Sequence, residues 1–315
     1  MADQLRLSIE SIAGRRPYQE DSVFAENLPD GRTLVAVADG MGGHAAGEVA
    51  SALALETLVS ALDDGESLVA AFRLANERVH TGGTEPGKEG MGTTLTALLL
   101  DGSEYMIANV GDSRGYQISF DGIRQLTEDH SFMAEAIKQG QSEEEAMRTP
   151  WKDVLTRAIG TQAEVEVDVV GPSVVQKNTA FLICSDGLYK TLNDEKLRKL
   201  FAESVAPQDA VKSLVTAAFE SGSDDNISVA IAEYGQVPRD TPPSTDVLSY
   251  SPEAASLERF SELPLQVESL EEEVLPIVEG AEEAISDGKF RANFIVGTLL
   301  IVAALVAAMV ILMAD

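Results

Sequence analysis

The hydrophobic residues of positions 1–235 fall into short runs and helical repeats, which together predict a folded unit of strands and helices. Apolar runs of about four to eight residues bounded by Gly, Asp or Asn are typical of strands. We predict strands at residues 5–13, 22–28, 33–38, 94–100, 104–110, 114–119, 122–126, 165–170, 179–184 and 227–234. Apolar residues three or four positions apart predict helices at residues 46–62, 66–80, 128–140, 194–203 and 207–221.

Three of these strands follow one another closely. Strands 104–110, 114–119 and 122–126 are separated by short turns, one of which contains Asp121-Gly122. Such turns connect antiparallel strands, because parallel strands need a long crossover. We therefore predict an antiparallel meander here, and an α+β fold with antiparallel sheets for the whole unit.

The composition changes near residue 236. Residues 236–288 contain six of the 12 prolines and 13 acidic residues against two basic ones, without a strand or helix period. Such a composition is typical of a disordered segment. We predict a folded domain at residues 1–235 and an acidic linker at residues 236–290, with a partner-docking tail as the alternative to a plain tether.

An uncharged run of 20 residues, Phe294 to Met313, lies near the C-terminus. At ~1.5 Å per residue, a helix of this length spans a bilayer core. Lys289 and Arg291 precede the run, and basic residues favour the cytoplasmic side. The N-terminus carries no apolar signal segment. These features predict a single transmembrane helix within residues 291–315 and a cytoplasmic folded domain.

Charge and cysteine content exclude two classes of function. The formal net charge is −29, from 52 acidic and 23 basic residues, whereas nucleic-acid binding needs a positive surface. Cys184 is the single cysteine, so no disulfide forms within the chain and no cysteine-rich zinc site is available. Because Cys184 lies in an apolar run, we predict a buried, inert thiol.

Three apolar runs end near an aspartate, which predicts carboxylates at the ends of buried strands. The runs lead to Asp39, Asp112 and Asp186, each beside a glycine that permits a sharp turn. Gathered carboxylates repel each other unless a cation neutralises them. Since carboxylate oxygens are hard ligands, the pattern predicts a Mg²⁺ or Mn²⁺ site. The turn at Asp112, taken alone, is more typical of a structural role than of a catalytic one.

Two further clusters add candidate ligands. Glu20 and Asp21 are adjacent, and on a strand they would point to opposite faces, one towards a metal and one towards a bound water. Asp225 lies in a polar turn that the Asn226 side chain can hold. The Glu20-Asp21 pair, taken alone, is also typical of surface charge.

These motifs occur in an order that resembles the metal-dependent protein phosphatases of the type 2C class, also called the PPM family. The resemblance covers about residues 5–235. The sequence motif from Asp39 to His44 is similar to that of the bacterial branch of the family. The matching motifs are Arg16…Glu20-Asp21, Asp39-Gly40-Met41-Gly42-Gly43-His44, Met91-Gly92-Thr93-Thr94, Gly111-Asp112-Ser113-Arg114, Leu126-Thr127-Glu128-Asp129-His130-Ser131, Leu155-Thr156-Arg157-Ala158-Ile159-Gly160, Ser185-Asp186-Gly187-Leu188 and Asp225-Asn226-Ile227-Ser228-Val229.

The resemblance implies a fold and an activity. The fold is an α+β, four-layer α/β/β/α sandwich with two antiparallel sheets flanked by helices, to which the predicted transmembrane helix is appended. The activity is hydrolysis of phosphoserine and phosphothreonine in proteins by a water that two Mn²⁺ or Mg²⁺ ions activate. The implied partners are phosphorylated proteins, a serine/threonine kinase and the substrates of that kinase.

The resemblance also implies roles for single residues. Asp39 would bridge the two ions, and Asp186 and Asp225 would hold the first of them. The Gly40 carbonyl would bind the second ion. Among these residues Asp39 and Asp186 are counted as catalytic.

Four other residues complete the implied site. Glu20 and Asp21 would bind the second ion directly or through its waters, and Asp112 would help to hold a third, weaker ion. Arg16 would be the catalytic residue that binds the substrate phosphate. Met41 stands where animal members carry a histidine proposed as general acid, so the proton donor is left open.

Two other functions stay open at the level of sequence. One is a type 2C-fold regulator that binds phosphoprotein with little catalysis, and the other is a phosphohydrolase of small phosphate esters. The segment 131–154 resembles the family's flap near the active site, where substrate selection is expected. We predict a local hydrogen bond for His130 at a helix start and an incidental position for His80.

Overall fold

The computed structural model describes residues 5–42, 45–237 and 239, which form two antiparallel β-sheets with helices on their outer faces. The strands are β1 Leu5–Ile12, β2 Asp21–Asn27, β3 Thr33–Met41, β4 Gly92–Thr93, β5 Leu95–Asp101, β6 Glu104–Val110, β7 Arg114–Ser119, β8 Gly122–Gln125, β9 Asp168–Val174, β10 Thr179–Cys184 and β11 Ile227–Tyr234. The helices are α1 Ala45–Asp63, α2 Leu68–Gly82, α3 Phe132–Lys138, α4 Glu143–Met147, α5 Asp186–Tyr189, α6 Asp194–Glu203 and α7 Pro207–Glu220.

The strand order of each sheet explains how the site is assembled. Within the described residues, the first sheet has the order β1-β11-β10-β7-β8 and the second has the order β2-β3-β5-β6-β9, with β4 paired to the end of β3. Strands from both ends of the described residues therefore become neighbours. The N-terminal β1 pairs with the C-terminal β11, and this brings the acidic turns of distant segments to one region.

Alternating side chains in β3 and β10 separate the layers. In β3, Leu34 and Ala36 pack with α1 and α2, whereas Val35 faces the other sheet. In β10, Leu182 packs with α6 and α7, whereas Phe181 lies between the sheets. Because successive strand residues point to opposite faces, each sheet buries both of its faces. The predicted arrangement of two antiparallel sheets flanked by helices is confirmed.

The prediction of a continuous meander was wrong. Strand β6 pairs with β5 in the second sheet, whereas β7 pairs with β8 in the first. The turn at Gly111 carries the chain from one sheet to the other, with a φ of 108° that favours glycine. A Cβ on Gly111 would lie 2.6 Å from the Thr94 side chain. Asp112 follows directly, so the crossing between sheets positions it.

Other predicted elements differ in extent. The helix predicted at 128–140 begins only at Phe132, because Ser131 caps it and residues 128–130 bind other parts of the chain. Strand β9 lies at Asp168–Val174 rather than at 165–170. The short elements α4, α5 and β4 were not predicted, because a helical or strand period cannot be recognised over so few residues.

The folded domain continues beyond the predicted boundary at residue 235. Val237 is buried in the core formed by α6, α7 and the first sheet, and Arg239 binds Glu233. Within the described residues, no helix combines the length and apolar character needed to cross a bilayer. The predicted transmembrane run Phe294–Met313 and most of the acidic linker lie outside the described residues.

Candidate metal centre

Five predicted aspartates meet at one end of the two sheets. The charges of Asp21, Asp186, Asp112 and Asp225 all act on Asp39 and raise its pKa. Asp21 and Asp39 face each other across the pair β2–β3. Asp186 begins α5 directly after β10, and Asp225 precedes β11. The structure therefore brings together the carboxylates that the sequence singled out at separate positions.

Backbone hydrogen bonds fix Asp39 within the last part of β3, which extends to Met41. The Asp39 N–H donates to Thr94 Oγ1 at 2.9 Å, and the Thr94 N–H donates to the Asp39 carbonyl at 2.8 Å. The Thr93 hydroxyl donates to the same carbonyl at 2.9 Å. The prediction that Asp39 ends its strand was wrong, because β3 continues to Met41. Asp39 lies where β3 changes its partner from β5 to β4.

A buried serine connects Asp21 to the other sheet. The Ser185 hydroxyl donates to Asp21 Oδ2 at 2.7 Å and accepts the Ser228 N–H at 3.1 Å. Asp21 is in β2 of the second sheet, whereas Ser228 is in β11 of the first. The sequence did not predict this hydrogen bond of Ser185, because no local pattern indicates a contact across 164 positions.

The turn before β11 holds the loop that carries Arg16. The Asn226 side chain accepts the Glu20 N–H at 2.8 Å, and its Nδ2 donates to the carbonyls of Ala13 at 3.0 Å and Tyr18 at 2.8 Å. Asn226 is buried. It therefore binds both ends of the 13–20 loop, which extends the predicted role of Asn226 beyond its own turn.

Burial and mutual repulsion raise the pKa values of Asp39, Asp21 and Asp112. Burial is the larger cause for Asp39, whose pKa lies well above its usual range. Burial, together with the charges of Asp186 and Asp225, raises the pKa of Asp21 to about 7. Burial and the charge of Asp186 raise the pKa of Asp112 to about 7. A divalent cation would stabilise the ionised forms of all three.

Two buried carboxylate oxygens fit the chemistry of such a cation. Asp21 Oδ1 and Asp186 Oδ1 have no hydrogen-bond partner among the described residues. An unpaired polar atom is costly to bury, and hard oxygen ligands suit Mg²⁺ or Mn²⁺. The residues present therefore fit a hard divalent metal.

Two basic side chains neutralise part of the cluster. Arg16 Nη2 lies 2.8 Å from Asp225 Oδ2, and Lys190 Nζ lies 2.5 Å from Asp186 Oδ2. Across the described part of the chain, no three acidic, histidine or cysteine side chains converge closely enough to coordinate one ion as they stand.

The remaining predicted residues lie beside the aspartates. Arg16 Nε also donates to the Asp224 carbonyl at 2.8 Å, and about half of its side chain is exposed. Glu20 precedes β2, and its carbonyl accepts the Gly40 N–H at 3.1 Å. A Cβ on Gly40 would lie 2.1 Å from the Gly47 carbonyl oxygen, so only glycine allows β3 and α1 to approach here. Gly43 and His44 lie outside the described residues.

The two described histidines make contacts that the sequence did not indicate. His130 Nδ1 accepts the Gly111 N–H at 3.0 Å, and its Nε2 binds Asp168 Oδ2 at 3.1 Å. These partners are 19 and 38 positions away, so the prediction of a local bond was wrong. His80 Nδ1 binds the Gly160 carbonyl at 2.9 Å and is not incidental. Contacts with distant segments determine the hydrogen bonds of both histidines, and a single sequence does not reveal such contacts.

Comparisons with known proteins agree with this geometry. Residues 14–218 match the family described as "Protein phosphatase 2C". A serine/threonine phosphatase, stp, of Listeria innocua is 37% identical over 231 residues, covering 69% of this chain and 91% of the relative. The serine/threonine protein phosphatase PstP of Mycobacterium tuberculosis is 38% identical over 252 residues, which are 74% of this chain and 46% of PstP.

Solved structures show the same likeness. A crystal structure of the Mycobacterium tuberculosis phosphatase PstP/Ppp has a TM-score of 0.65 at 34% identity, covering 74% of this chain and 99% of that one. The catalytic domain of PstP in complex with two manganese ions has a TM-score of 0.62 at 33% identity, with the same coverage of 74% and 99%.

Proposed function

Because this chain belongs to the protein phosphatase 2C family, we propose that its aspartate cluster is the centre of a metal-dependent serine/threonine phosphatase. The reaction is hydrolysis of phosphoserine and phosphothreonine in proteins, and the cofactors are Mn²⁺ or Mg²⁺. The observation that carries the proposal is the convergence of five aspartates, two with buried and unpartnered oxygens.

We assign the cluster the metal-binding roles of the family. Asp39, at the centre of the mutual repulsion, would bridge two ions, with Asp186 and Asp225 on one and Asp21, Glu20 and the Gly40 carbonyl on the other. When bound, two such ions lower the pKa of a shared water and stabilise the charge that develops on the phosphoryl oxygens. Asp112 would lie at the outer edge of the same metal site.

Arg16 would bind the substrate phosphate. Its guanidinium lies at the rim of the cluster, partly exposed, and donates to Asp225 Oδ2 and to the Asp224 carbonyl. A guanidinium presents parallel donors that match phosphate oxygens. When a phosphorylated side chain arrives, Arg16 would exchange its Asp225 partner for the phosphate and orient the phosphate over the aspartate cluster.

The test is phosphate release by the purified protein after EDTA treatment, with and without Mn²⁺. We expect rapid release from a phosphothreonine peptide in Mn²⁺ and none without metal. Peptide binding without release would favour the non-catalytic regulator. Faster turnover of a sugar phosphate than of the peptide would favour a phosphohydrolase of small esters.

The cellular location is a further part of the proposal. The uncharged run Phe294–Met313 and the preceding Lys289 and Arg291 support a C-terminal anchor with the catalytic domain in the cytoplasm. If residues 236–290 act as the linker that their composition predicts, a random coil of about fifty residues would give an r.m.s. reach of ~40 Å. Substrates would then be membrane-associated phosphoproteins, among them a serine/threonine kinase and its targets. Cell fractionation tests this: full-length protein in the soluble fraction would contradict it.

A further inference from the structure

A lysine lies within the aspartate cluster, at the corner formed by Asp112 and Asp186. Lys190 follows α5, and its Nζ lies 2.5 Å from Asp186 Oδ2 and 3.1 Å from Asp153 Oδ1. Its charge also acts on Asp112, where it opposes the effect of burial on the pKa. One ammonium group is therefore paired with the carboxylates of Asp186 and Asp153 and acts on a third, Asp112, through its charge.

The two oxygens of Asp186 are used differently. Oδ2 accepts a hydrogen bond from the Lys190 ammonium, whereas Oδ1 is buried without a partner among the described residues. A carboxylate can bind a cation on each of its oxygens. Asp186 therefore has one oxygen directed to a cation of the protein itself and one oxygen left for a metal ion.

The ammonium is held in place and kept charged. The Lys190 N–H donates to the Asp186 carbonyl at 3.0 Å, and the preceding Tyr189 donates its hydroxyl to Asp112 Oδ2 at 3.3 Å. The Arg114 guanidinium lies 3.6 Å from the centre of the Tyr189 ring. The carboxylates of Asp186 and Asp153 contact the Lys190 Nζ directly and stabilise its positive charge.

We propose that Lys190 is a built-in cation at the Asp112 corner of the metal centre, which prevents a third divalent ion from binding there and limits the site to two ions. The inference rests on the proposed function, since it requires that the cluster binds metal. Its physical basis is the repulsion between an ammonium and a divalent ion that compete for the same carboxylates. Lys190 acts here through the charge of the site and not on the reacting atoms.

The experiment counts Mn²⁺ ions per chain by equilibrium dialysis of the full chain with metal analysis. We expect two ions for the wild type, three for Lys190→Gln at high Mn²⁺, and two for Lys190→Arg, which keeps the charge. Lys190→Met is a second neutral variant with the same expected gain of one ion. Lys199→Gln on the exposed face of α6 removes a charge elsewhere and should leave the count at two.

A double variant locates the additional ion. Lys190→Gln combined with Asp112→Asn should return the count to two, because it removes the carboxylate that the third ion would need. Three ions on the wild type, or unchanged counts and affinities in both neutral variants, would overturn the inference and leave the proposed function standing. A wild type that binds no Mn²⁺ would overturn both.

Discussion

At the residue scale, the site consists of aspartates that cannot all be ionised without cations nearby. The pKa values of Asp21 and Asp112 are raised to about 7, first by burial and then by neighbouring charges. Metal binding would therefore displace protons from these groups near neutral pH. Arg16 and Lys190 neutralise the outer edge of the cluster, and this leaves the buried oxygens of Asp21 and Asp186 for metal.

The phosphate-binding role of Arg16 gives the first prediction. Replacing Arg16 by Ala removes the donors to the phosphate, so KM for a phosphothreonine peptide should rise about tenfold or more, which corresponds to about 1.4 kcal/mol. Mn²⁺ binding should not weaken, because Arg16 supplies no ligand atom and its ion pair with Asp225 competes with the metal. Steady-state kinetics and Mn²⁺ titration measure the two effects.

The adjacent arginine is a matched control. Arg15 lies over the Phe219 ring, 5.4 Å from its centre, and points to the end of α7 rather than to the aspartates. Arg15→Ala should leave KM unchanged. If Arg16→Ala alters Mn²⁺ affinity and leaves KM as it was, Arg16 has a structural role and the assignment is wrong.

His130 gives a prediction about pH. Burial, only partly opposed by the bond to Asp168, lowers the pKa of His130 below its ordinary value of 6.5. At pH values between the pKa of His130 in the folded state and its pKa in the unfolded state, the unfolded chain binds more protons. The free energy of unfolding therefore falls as pH drops below about 6.5, by at most ~1.4 kcal/mol per pH unit. The measurement is urea unfolding at several pH values.

A variant isolates this contribution from that of other groups. His130→Asn keeps an acceptor for the Gly111 N–H but does not titrate, so its free energy of unfolding should fall less between pH 7 and pH 5 than that of the wild type. Equal slopes for the two proteins would show that the pKa of His130 does not differ between the folded and the unfolded state.

Four of the aspartates could be predicted from sequence, because Asp39, Asp112 and Asp186 lie beside a glycine after an apolar run and Asp225 lies in a polar turn. Asp21 was indicated mainly by the family resemblance. Lys190 could not be predicted, since its partners Asp186 and Asp153 come together only after α5 and the segment before β9 have packed. Ser185 and His130 were missed for the same reason. Hydrogen bonds between distant segments leave no periodic signal in the chain.

At the scale of elements, the site depends on close packing of two turns. A Cβ on Gly187, in α5, would lie 2.0 Å from the Asn226 carbonyl oxygen. Gly187→Ala should therefore separate α5 from the turn before β11. We expect a loss of about 1–3 kcal/mol in the free energy of unfolding, together with weaker Mn²⁺ binding, because Asp186 and Asp225 move apart.

Denaturant unfolding and Mn²⁺ titration test this. Gly83→Ala is the matched control, because a Cβ there meets neighbours at 3.5 Å or more, which is an ordinary contact. A Gly187→Ala protein with wild-type Mn²⁺ affinity would show that the contact between the two turns does not position the ligands.

The strands were predicted well and the connections less well. Runs such as 179–184 carry their own apolar signal, and the structure places β10 at the same residues. The separation of β6 and β7 into different sheets was missed, because a short turn at Gly111 is equally compatible with a hairpin. The helix start near 128 was misplaced because Asp129 binds Arg114 instead of entering the helix.

At the scale of the whole molecule, the catalytic domain extends to Arg239. The buried Glu233 binds both Arg6 and Arg239, and the Arg239 guanidinium lies 4.0 Å from the centre of the Phe201 ring. The boundary at residue 235 was predicted from a change in composition. Composition does not reveal that Arg239, beyond this boundary, forms an ion pair with the buried Glu233.

Truncation tests this boundary. A chain ending at residue 240 should keep the stability of the domain, whereas one ending at residue 235 loses Val237 and Arg239. Removing one partner of a buried ion pair costs about 3–5 kcal/mol, and because Arg6 remains we expect the lower end of that range. Equal melting temperatures of the two chains would contradict the account.

The most direct measurement of the central claim is phosphate release from a phosphothreonine peptide by Asp186→Asn in Mn²⁺. The change removes a charged ligand while keeping the size of the side chain, so the rate should fall by at least ~10²-fold. Asp121→Asn, in the exposed turn between β7 and β8, should keep the wild-type rate. Near-normal turnover by Asp186→Asn would contradict the assignment of the aspartate cluster as the metal centre.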